Sequence, residues 1–459
     1  MEEKLKIGLE IHGYIDTEEK LFCSCKAIHG AKDSKPNEHI CPICTGQPGS
    51  KPELPNKKAV DKAIEISLIL NCKINSKLPW QRKHYSWPDL PKGYQNTLSG
   101  PHAFPIGIKG KFEGIGITEC HLEEDPAAWN PKTGEIDYNR SGSPLIEIVT
   151  DPDFTSKEQV AEWLKTLKAT LGYIKAIDKK AGLKADVNVS LPNQDGKRIE
   201  IKNVNSIKNI VRAIQVESDR QKKEGAAKEQ ETRRFDEKTE TTSKMRSKEN
   251  AEDYRFISDP DLPIINIQKT RIDNLKKQLP ETPKEKLSKL IKKHKIQKGD
   301  AEILTKNLDL VELFESVVKK INPKTALRWT IVELPAVLNY NKLTLADEGL
   351  EILEEHFVKL LNFLDKGKLT EHKAREILRK FIPKSFDPEK EVKKSGKISD
   401  SSEIEKVCDK VIKENGKAVE DFKSGNASSL NFLIGQVMKH SKGRADVKKV
   451  KEILEKRIK

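Results

Sequence analysis

The stretch His-Leu-Glu-Glu-Asp at residues 121–125 decides how the first half of the chain is interpreted. It places three successive carboxylates beside a histidine in an apolar segment. Burying such a group is costly unless a cation compensates its charge. The stretch Gly-Leu-Glu-Ile-His at residues 8–12 again brings a carboxylate and an imidazole together. The two stretches predict a site that holds a metal ion or a nucleotide–metal complex.

Two short segments extend this acidic site. Residues 6–12 alternate aliphatic and polar side chains, which is the period of a β-strand with one polar face. An ordinary half-exposed strand would show the same alternation. Residues 145–149 form a second strand, in which a single glutamate stands among aliphatic side chains and is seldom buried unless paired. The candidate catalytic residues of this site are Glu10, His12, Glu123, Glu124 and Glu147.

Four of the seven cysteines form two close pairs, at 23–25 and 41–44, separated by 15 residues. This spacing is typical of a structural zinc site, because each pair supplies two sulfurs and the loop folds back to join them. Free core cysteines or a redox pair are the alternatives. His29 and His39 lie in the loop as further candidate ligands. The predicted zinc ligands are Cys23, Cys25, Cys41 and Cys44. The isolated cysteines are expected to be small buried side chains: Cys72, Cys120 and Cys408.

Two further segments carry polar groups. Residues 81–95 show the period of neither a helix nor a strand. They combine three cationic side chains, three aromatic ones, two prolines and a glycine. They are interpreted as a loop, suited to gripping phosphates or simply set on the surface by its prolines. Residues 185–191 and 198–202 alternate like strands, and Asn-Gln-Asp-Gly at 193–196 predicts a hairpin between them. The polar face of this hairpin either lines the predicted site or faces solvent and carries cross-strand ion pairs.

Helical periodicity marks residues 57–70, 160–171 with Ser156 as cap, and 207–228. Proline clusters at 259–263 indicate a domain boundary. Beyond Arg271 the spacing is helical throughout. We therefore predict an α+β protein: a mixed β-sheet catalytic domain, an all-α domain and a small all-α tail. The predicted bounds are 1–270 for the catalytic domain, 271–382 for the helical domain, 383–400 for a linker and 401–459 for the tail.

The charge is unevenly distributed. The chain carries a net charge of +14, and residues 271–459 hold 42 Lys and Arg against 30 Asp and Glu. A basic C-terminal region suggests binding of a polyanion. Lysines that only solvate the surfaces of helices would give the same excess of positive charge. No apolar run approaches the roughly 20 residues of a membrane span, and the first residues do not open a signal peptide. We expect a cytoplasmic protein without a membrane contact.

Several common catalytic motifs are absent from the sequence. It contains no Gly-x-x-x-x-Gly-Lys-Ser/Thr loop, no nucleophile elbow and no Gly-x-Gly-x-x-Gly before a helix. It also lacks an evident serine or cysteine nucleophile with a paired base. Amide hydrolysis on this chain is therefore not expected, and a nucleoside triphosphate would be handled by carboxylates, a metal and scattered cations.

A series of motifs resembles one known family. Besides the stretches at 8–12 and 121–125 and the cysteine pairs, these are Tyr-Ser-Trp-Pro-Asp-Leu-Pro-Lys-Gly-Tyr-Gln (85–95), Asp-Tyr-Asn-Arg-Ser-Gly (137–142), Glu-Ile-Lys-Asn (200–203), Glu-Thr-Arg-Arg (231–234) and Met-Arg-Ser-Lys-Glu (245–249). In this order they resemble the B-subunit family of tRNA-dependent amidotransferases, GatB/GatE. The tail is similar to the YqeY-like domain of that family. An insertion typical of GatE has no room between Pro263 and Arg271, which favours the GatB branch.

The resemblance implies a cradle-shaped first domain and a reaction in two steps. ATP phosphorylates the side-chain carboxylate of misacylated Glu-tRNA(Gln) or Asp-tRNA(Asn), and ammonia from the glutaminase GatA then displaces phosphate. GatC is an expected third subunit. Zn²⁺ is implied at the cysteines, and Mg²⁺, with Mn²⁺ also admissible, at Glu10, His12, Glu124 and Glu147. The implied residues for ATP and its phosphates are Lys83, Lys92, Asp186, Asn188, Glu200 and Lys202.

The sequence departs from the family pattern at two positions, and an alternative function stays open. Tyr14 stands where the family usually has Gln, and Phe235 where it commonly has Trp. Tyr14 lies on the predicted metal-facing side of its strand, so it changes the polar contacts there. The alternative is a zinc-stabilised tRNA-binding adaptor whose carboxylates form only salt bridges. An adaptor has no need for acidic residues on so many separate segments.

Overall fold

The computed structural model of the chain describes residues 5–28, 34–178, 181–191, 196–247, 254–345, 347, 349–395 and 401–458. The chain divides into two compact units, one ending at Pro283 and one beginning at Lys284. The first unit combines a large sheet with helices, and the second is helical, which confirms the predicted α+β class. No helix among the described residues has the length and apolar character needed to cross a membrane.

The first unit is built on one twelve-stranded sheet. Its strands follow the order β14-β13-β12-β11-β1-β10-β7-β5-β4-β15, and β6 joins β7 to β2 beside this path. Only β12 and β13 run parallel among the described pairs, so the sheet is mixed. The strands are β1 (Lys6–Tyr14), β2 (Lys73–Ile74), β3 (Lys77–Leu78), β4 (Gln81–His84), β5 (Tyr94–Thr97), β6 (Gly107–Phe112), β7 (Ile115–Glu124), β8 (Ala128–Trp129), β9 (Ile136–Asp137), β10 (Pro144–Thr150), β11 (Leu183–Ser190), β12 (Ile199–Asn205), β13 (Glu231–Asp236), β14 (Thr241–Ser247), β15 (Arg255–Ser258) and β16 (Ile265–Asn266).

Helices cover the apolar face of this sheet. Helix α1 packs on β6 and β7, while α3 packs on β11 and β12 and against α2. Leu9, Ile11 and Val187 are fully buried on this face. Ser156 caps α2 as predicted, its side chain accepting a hydrogen bond from Gln159 N. The helices of this unit are α1 (Lys57–Ile69), α2 (Lys157–Tyr173), α3 (Ile207–Glu224) and α4 (Lys269–Gln278).

The opposite face of the sheet is polar, and its register aligns the acidic residues. Glu147 on β10 lies opposite His12 on one neighbouring strand and opposite His121 on the other. On the far side of β1, Glu10 pairs with Asp186. Because side chains alternate between the two faces, residues two apart on these strands share the polar face. The register therefore concentrates carboxylates and imidazoles on one surface.

The structure corrects the prediction for residues 81–95. Only the middle of this segment is a loop, since its ends form strands β4 and β5, which pair antiparallel with Gln81 opposite Thr97. The sequence showed no strand pattern because the buried side chains are polar: Gln81, Gln95, Asn96 and Thr97. By contrast, the predicted strands around 185–191 and 198–202 form the antiparallel pair β11 and β12. The turn predicted between them includes residues 193–195, which lie outside the described residues.

The second unit is helical, as predicted beyond Arg271. A π-helical turn at Trp329–Glu333 joins α8 to α9. The segment 383–400, predicted as a linker, contains the short helix α12. The last four helices enclose a core of their own that includes Ile404, Val411 and Leu433. The helices are α5 (Pro283–His294), α6 (Lys298–Leu304), α7 (Leu308–Val317), α8 (Pro323–Arg328), α9 (Leu334–Tyr340), α10 (Glu354–Asp365), α11 (Glu371–Arg379), α12 (Glu389–Ser395), α13 (Ser401–Glu414), α14 (Gly416–Lys423), α15 (Ala427–His440) and α16 (Val447–Ile458).

Candidate active site and cysteine cluster

Two imidazoles and three carboxylates meet on the polar face of the sheet. His12 Nε2 lies 3.4 Å from Glu147 Oε2 and 3.8 Å from Glu123 Oε1. His121 Nε2 lies 3.0 Å from the same Glu147 oxygen, and its Nδ1 lies 3.1 Å from Glu119 Oε1. Three adjacent strands contribute these side chains, so their spacing is fixed by backbone hydrogen bonds. Of the predicted site residues, the structure brings together His12, Glu123 and Glu147 in this cluster.

The charged groups of this cluster shift one another's pKa values. Burial alone would lower the pKa of His12, but the Glu147 and Glu123 carboxylates outweigh it and raise that pKa to about 9. Burial also opposes the charged form of His121, yet Glu147 and Glu119 hold its pKa well above the usual value. In return, the two imidazoles hold the pKa of Glu147 well below its usual value despite its burial.

A second acidic cluster lies next to the first. The ligand atoms of Glu10, Asp186 and Glu200 are all within 4.8 Å of one another. Lys202 Nζ lies 2.6 Å from Asp186 Oδ2 and 2.5 Å from Glu200 Oε1. Asn188 Nδ2 donates to Glu10 Oε1 at 3.1 Å. Burial raises the pKa of Glu10, and the charge of Lys202 offsets part of that effect. This cluster unites five side chains that the sequence had indicated as candidates.

Glu124 belongs to neither cluster. It follows Glu123 on β7, so strand alternation directs it away from His12. Its Oε1 accepts a hydrogen bond from Asn96 N at 2.9 Å and lies 2.5 Å from Lys92 Nζ. The structure thus pairs the predicted metal ligand Glu124 with the predicted phosphate ligand Lys92. The other predicted phosphate ligand on this segment, Lys83, lies over the Tyr254 ring, 4.7 Å from its centroid.

The donor atoms of the first cluster fit a divalent cation. His12, Glu123 and Glu147 each offer one ligand atom, and these atoms lie within 4.8 Å of one another. Two carboxylate oxygens and one imidazole on one side leave positions for water and substrate oxygens, which suits Mg²⁺ or Mn²⁺. The second cluster offers three carboxylates and fits a cation equally well by donor type, but Lys202 already neutralises part of its charge.

Sequence reasoning missed the residues that join the clusters to the loops around them. Asp125 is buried and accepts a hydrogen bond from Tyr14 Oη at 2.7 Å, while Arg140 Nε lies 3.0 Å from the same oxygen. His121 belongs to the acidic stretch but was not predicted as a site residue. His121 is two residues from both Glu119 and Glu123. In a strand, period-two alternation places all three side chains on the same face, so this spacing could have identified His121.

The four cysteines predicted to bind zinc do come together. All four sulfurs lie within 4.8 Å of one another, and Cys41 Sγ lies 3.9 Å from Cys44 Sγ. The hydrogen bond from the Cys23 thiol is the main reason why the pKa of Cys44 falls to about 4. Four thiols of this spacing fit a tetrahedral zinc ion by donor type and number. His39 is not among these clustered side chains, and His29 lies outside the described residues.

Comparison with known proteins decides the family. The family model of the GatB/GatE catalytic domain matches residues 5–273, and a second one, described as GatB domain, matches residues 312–458. The chain belongs to the GatB/GatE family. The first match contains every residue of both acidic clusters and of the cysteine cluster. Of the motifs that carry the resemblance, those at 8–12, 121–125 and 200–203 lie on or directly beside the strands that build the two acidic clusters. Lys248 and Glu249, at the end of another motif, lie outside the described residues.

Individual GatB relatives are similar over their whole length. The chain is 43% identical to a protein of Methanocaldococcus jannaschii over 471 residues, covering 99% of this chain and 98% of the relative. It is 40% identical to one of Methanothermobacter thermautotrophicus, covering 99% and 100%, and 43% identical to one of Methanobrevibacter smithii, covering 98% and 99%. All three carry the name of the B subunit of aspartyl/glutamyl-tRNA(Asn/Gln) amidotransferase.

Proposed function

We propose that this GatB-family chain is the amidating subunit of a tRNA-dependent amidotransferase. ATP would phosphorylate the side-chain carboxylate of Glu-tRNA(Gln) or Asp-tRNA(Asn), giving an acyl phosphate and ADP. Ammonia would then attack the acyl carbon, phosphate would leave, and the released proton would pass to water or a nearby base. The observation that carries this proposal is the pair of adjacent acidic clusters on one face of the sheet, one suited to a metal and one already holding an ammonium group.

Each cluster has a distinct proposed role. A Mg²⁺ ion bound by His12, Glu123 and Glu147 would offset negative charge on the triphosphate and on the reacting carboxyl group. His121 would hold the Glu147 carboxylate in place for this task. Glu10, which lies in the adjacent second cluster, is also proposed as a ligand of this ion. Because it is bonded to Lys92, Glu124 is proposed to orient that lysine.

The second cluster would position the nucleotide. Lys202 is held between Asp186 and Glu200 and is proposed to meet phosphate oxygens, as is Lys92. Asn188 and the two carboxylates would bind ribose hydroxyls or water. Lys83 is proposed to assist at the phosphates from the neighbouring segment. The assignments to Lys202, Asp186, Asn188 and Glu200 are supported by the polar face that β11 and β12 share.

The proposed partners follow from what the chain lacks in its sequence. With no amidase nucleophile, it would receive ammonia from a GatA glutaminase, with GatC as a further subunit. The helical domain, proposed as residues 271–382, and the tail, proposed as 401–459 after a linker at 383–400, would bind tRNA phosphates. Residues 1–270 would form the catalytic cradle. We also propose structural Zn²⁺ at the four cysteines and a cytoplasmic location, where thiols stay reduced.

The deciding experiment is ATP hydrolysis by the chain reconstituted with its glutaminase partner. Misacylated tRNA should stimulate ADP formation and yield amidated tRNA, with a requirement for Mg²⁺. Glu147→Gln should lower this turnover at least about a hundredfold, because it removes a charge from the proposed metal shell. Glu162→Gln, an exposed position on α2, is the matched control. Tight tRNA binding without nucleotide turnover under any metal would support the adaptor alternative instead.

A further inference from the structure

Lys20 is a buried lysine whose polar contacts all lie around the cysteine cluster. Its side chain is 1% exposed. Its Nζ donates to the carbonyl oxygens of His39 at 3.0 Å and Tyr138 at 3.2 Å, and to Cys44 Sγ at 3.4 Å. Among the described residues, no carboxylate forms an ion pair with it. A buried ammonium group without a carboxylate needs another source of negative charge beside it.

A metal-loaded cysteine cluster would supply that charge. Zinc bound by four thiolates carries a net charge of −2, since the four sulfur charges exceed the two positive charges of the ion. The sulfur that accepts from Lys20 belongs to Cys44, which also accepts a hydrogen bond from Cys41 N at 3.3 Å. The ammonium group and a loaded cluster therefore compensate each other, whereas the two carbonyl oxygens alone would leave the lysine charge poorly matched.

The same lysine borders the turn that leads to the acidic site. Leu21 N donates to Gly142 O at 2.8 Å, and Ser141 Oγ donates to Cys44 O at 2.7 Å. One step further, Gly142 N donates to Asp125 O at 2.9 Å. Hydrogen bonds thus join the cysteine cluster to the turn at 138–142, and the same turn to Asp125, the residue that follows Glu123 and Glu124.

We propose that Lys20 is a positioning residue that couples the cysteine metal site to the acidic site. Its ammonium group donates to the metal-bound sulfur of Cys44 and anchors the turn at 138–142 through Tyr138 O. Metal at the cysteines, acting through Lys20, then holds Arg140 and Asp125 in place beside the acidic site. This inference rests on the metal proposed above for the cysteine cluster.

The test compares full-length Lys20→Met with the unaltered chain and with Lys26→Met, an exposed lysine next to the cluster. Zinc release to a coloured chelator should be about tenfold faster in Lys20→Met, since loss of an outer contact to a metal ligand typically weakens the site by about ten- to a hundredfold. In the Co²⁺-loaded chain, the sulfur-to-cobalt charge-transfer band should move to longer wavelength, because a nearby positive charge lowers the energy of the sulfur electrons. Hydrogen exchange should rise at residues 125–142.

The outcomes separate the inference from the metal proposal. If the unaltered chain holds about one zinc and Lys20→Met releases it no faster and keeps the same charge-transfer band, the role of Lys20 is overturned alone. If the unaltered chain holds no metal at the cysteines, both are overturned. Should Lys20→Met fail to fold, Lys20→Gln, which is neutral but still donates to carbonyls, is measured in the same way. Unchanged release and spectrum in Lys20→Gln count against the proposal.

Discussion

At the level of single residues, the acidic site is organised by two imidazoles that share one carboxylate. Glu147 lies between His12 and His121, and in this arrangement the pKa of His12 is raised to about 9. A cation bound to His12 must displace its proton, because only the neutral imidazole nitrogen is a ligand. Binding of the proposed metal would therefore release a proton from this site.

This linkage predicts a pH dependence of metal binding. His12, with its pKa of about 9, is protonated below that pH, so the proton competes with the cation there. The apparent affinity for Mg²⁺ should rise as pH increases from about 7 to about 9, by roughly tenfold per pH unit for one displaced proton. Calorimetric titration in buffers of different ionisation enthalpy would measure both the affinity and the protons released. In His12→Gln the dependence should weaken, because His121 still contacts Glu147, and an affinity independent of pH in the unaltered chain would contradict the prediction.

A second residue-level prediction concerns Tyr14, which replaces the usual Gln of the family. Its hydroxyl donates to buried Asp125 Oδ2 at 2.7 Å. Tyr14→Phe removes this donor and should lower the free energy of unfolding by about 1.5–3 kcal/mol, the range for hydrogen bonds to charged groups. Tyr14→Gln retains a donor and should recover part of the loss. Denaturation curves of both variants measure this effect, and a Phe variant as stable as the original would refute it.

The sequence predicted which residue types form the site better than which residues touch. Period-two alternation placed Glu10 and His12 on one strand face, and the structure agrees. It could not predict that Glu147 lies opposite His121, because the register between distant strands depends on pairing along the whole sheet. The family resemblance implied Glu124 as a metal ligand, and the structure shows its carboxylate beside Lys92.

At the level of elements, helix α2 is fixed to the sheet by one buried indole. Trp163 Nε1 donates to Phe112 O at 2.8 Å, and its ring packs edge-on against Phe112 and Phe154. Trp163→Phe leaves the buried Phe112 carbonyl without this donor and should cost about 1–3 kcal/mol of unfolding free energy. Trp87, 54% exposed, supplies the matched control, since Trp87→Phe should change stability little. Urea denaturation compares the two, and equal stability of both variants would argue against the role of Trp163.

Elements were predictable where one face is apolar. The three main helices of the first unit show the expected period, because each buries one apolar face. Strand β10 was predicted from its run of aliphatic residues, and most of these are buried. Strands β4 and β5 were missed, since their buried side chains are polar and are satisfied by hydrogen bonds such as that from Gln95 Nε2 to Glu124 O. Periodicity reports hydrophobic burial, so it does not detect strands of this kind.

At the level of the whole molecule, the N-terminal and C-terminal parts of the chain differ in both net charge and fold. The second unit is helical, and residues 271–459 carry an excess of 12 positive charges, 42 minus 30. The last four helices enclose their own core, so they can be removed without opening the sheet. Deleting residues 401–459 should weaken tRNA binding at least about tenfold and reduce its salt dependence, while ATP turnover at saturating tRNA changes little.

Filter binding at several salt concentrations would measure this effect. Circular dichroism spectra of the remaining chain would serve as the control for folding. A truncated chain that binds tRNA as tightly as the intact one would remove the tail from the proposed tRNA-binding surface, and the helical domain alone would then account for binding.

The order in which strands join the sheet has a consequence for the timing of activity. The two acidic clusters need side chains from β1, β7, β10, β11 and β12, which span residues 6 to 205. Pairings between such distant segments close large loops and form slowly. During synthesis, Glu10 emerges long before its neighbour Glu200, so a ribosome-bound or proteolysed fragment that ends before β12 has no complete site. If the clusters have the proposed role, a nascent chain would not turn over nucleotide before β12 has been made.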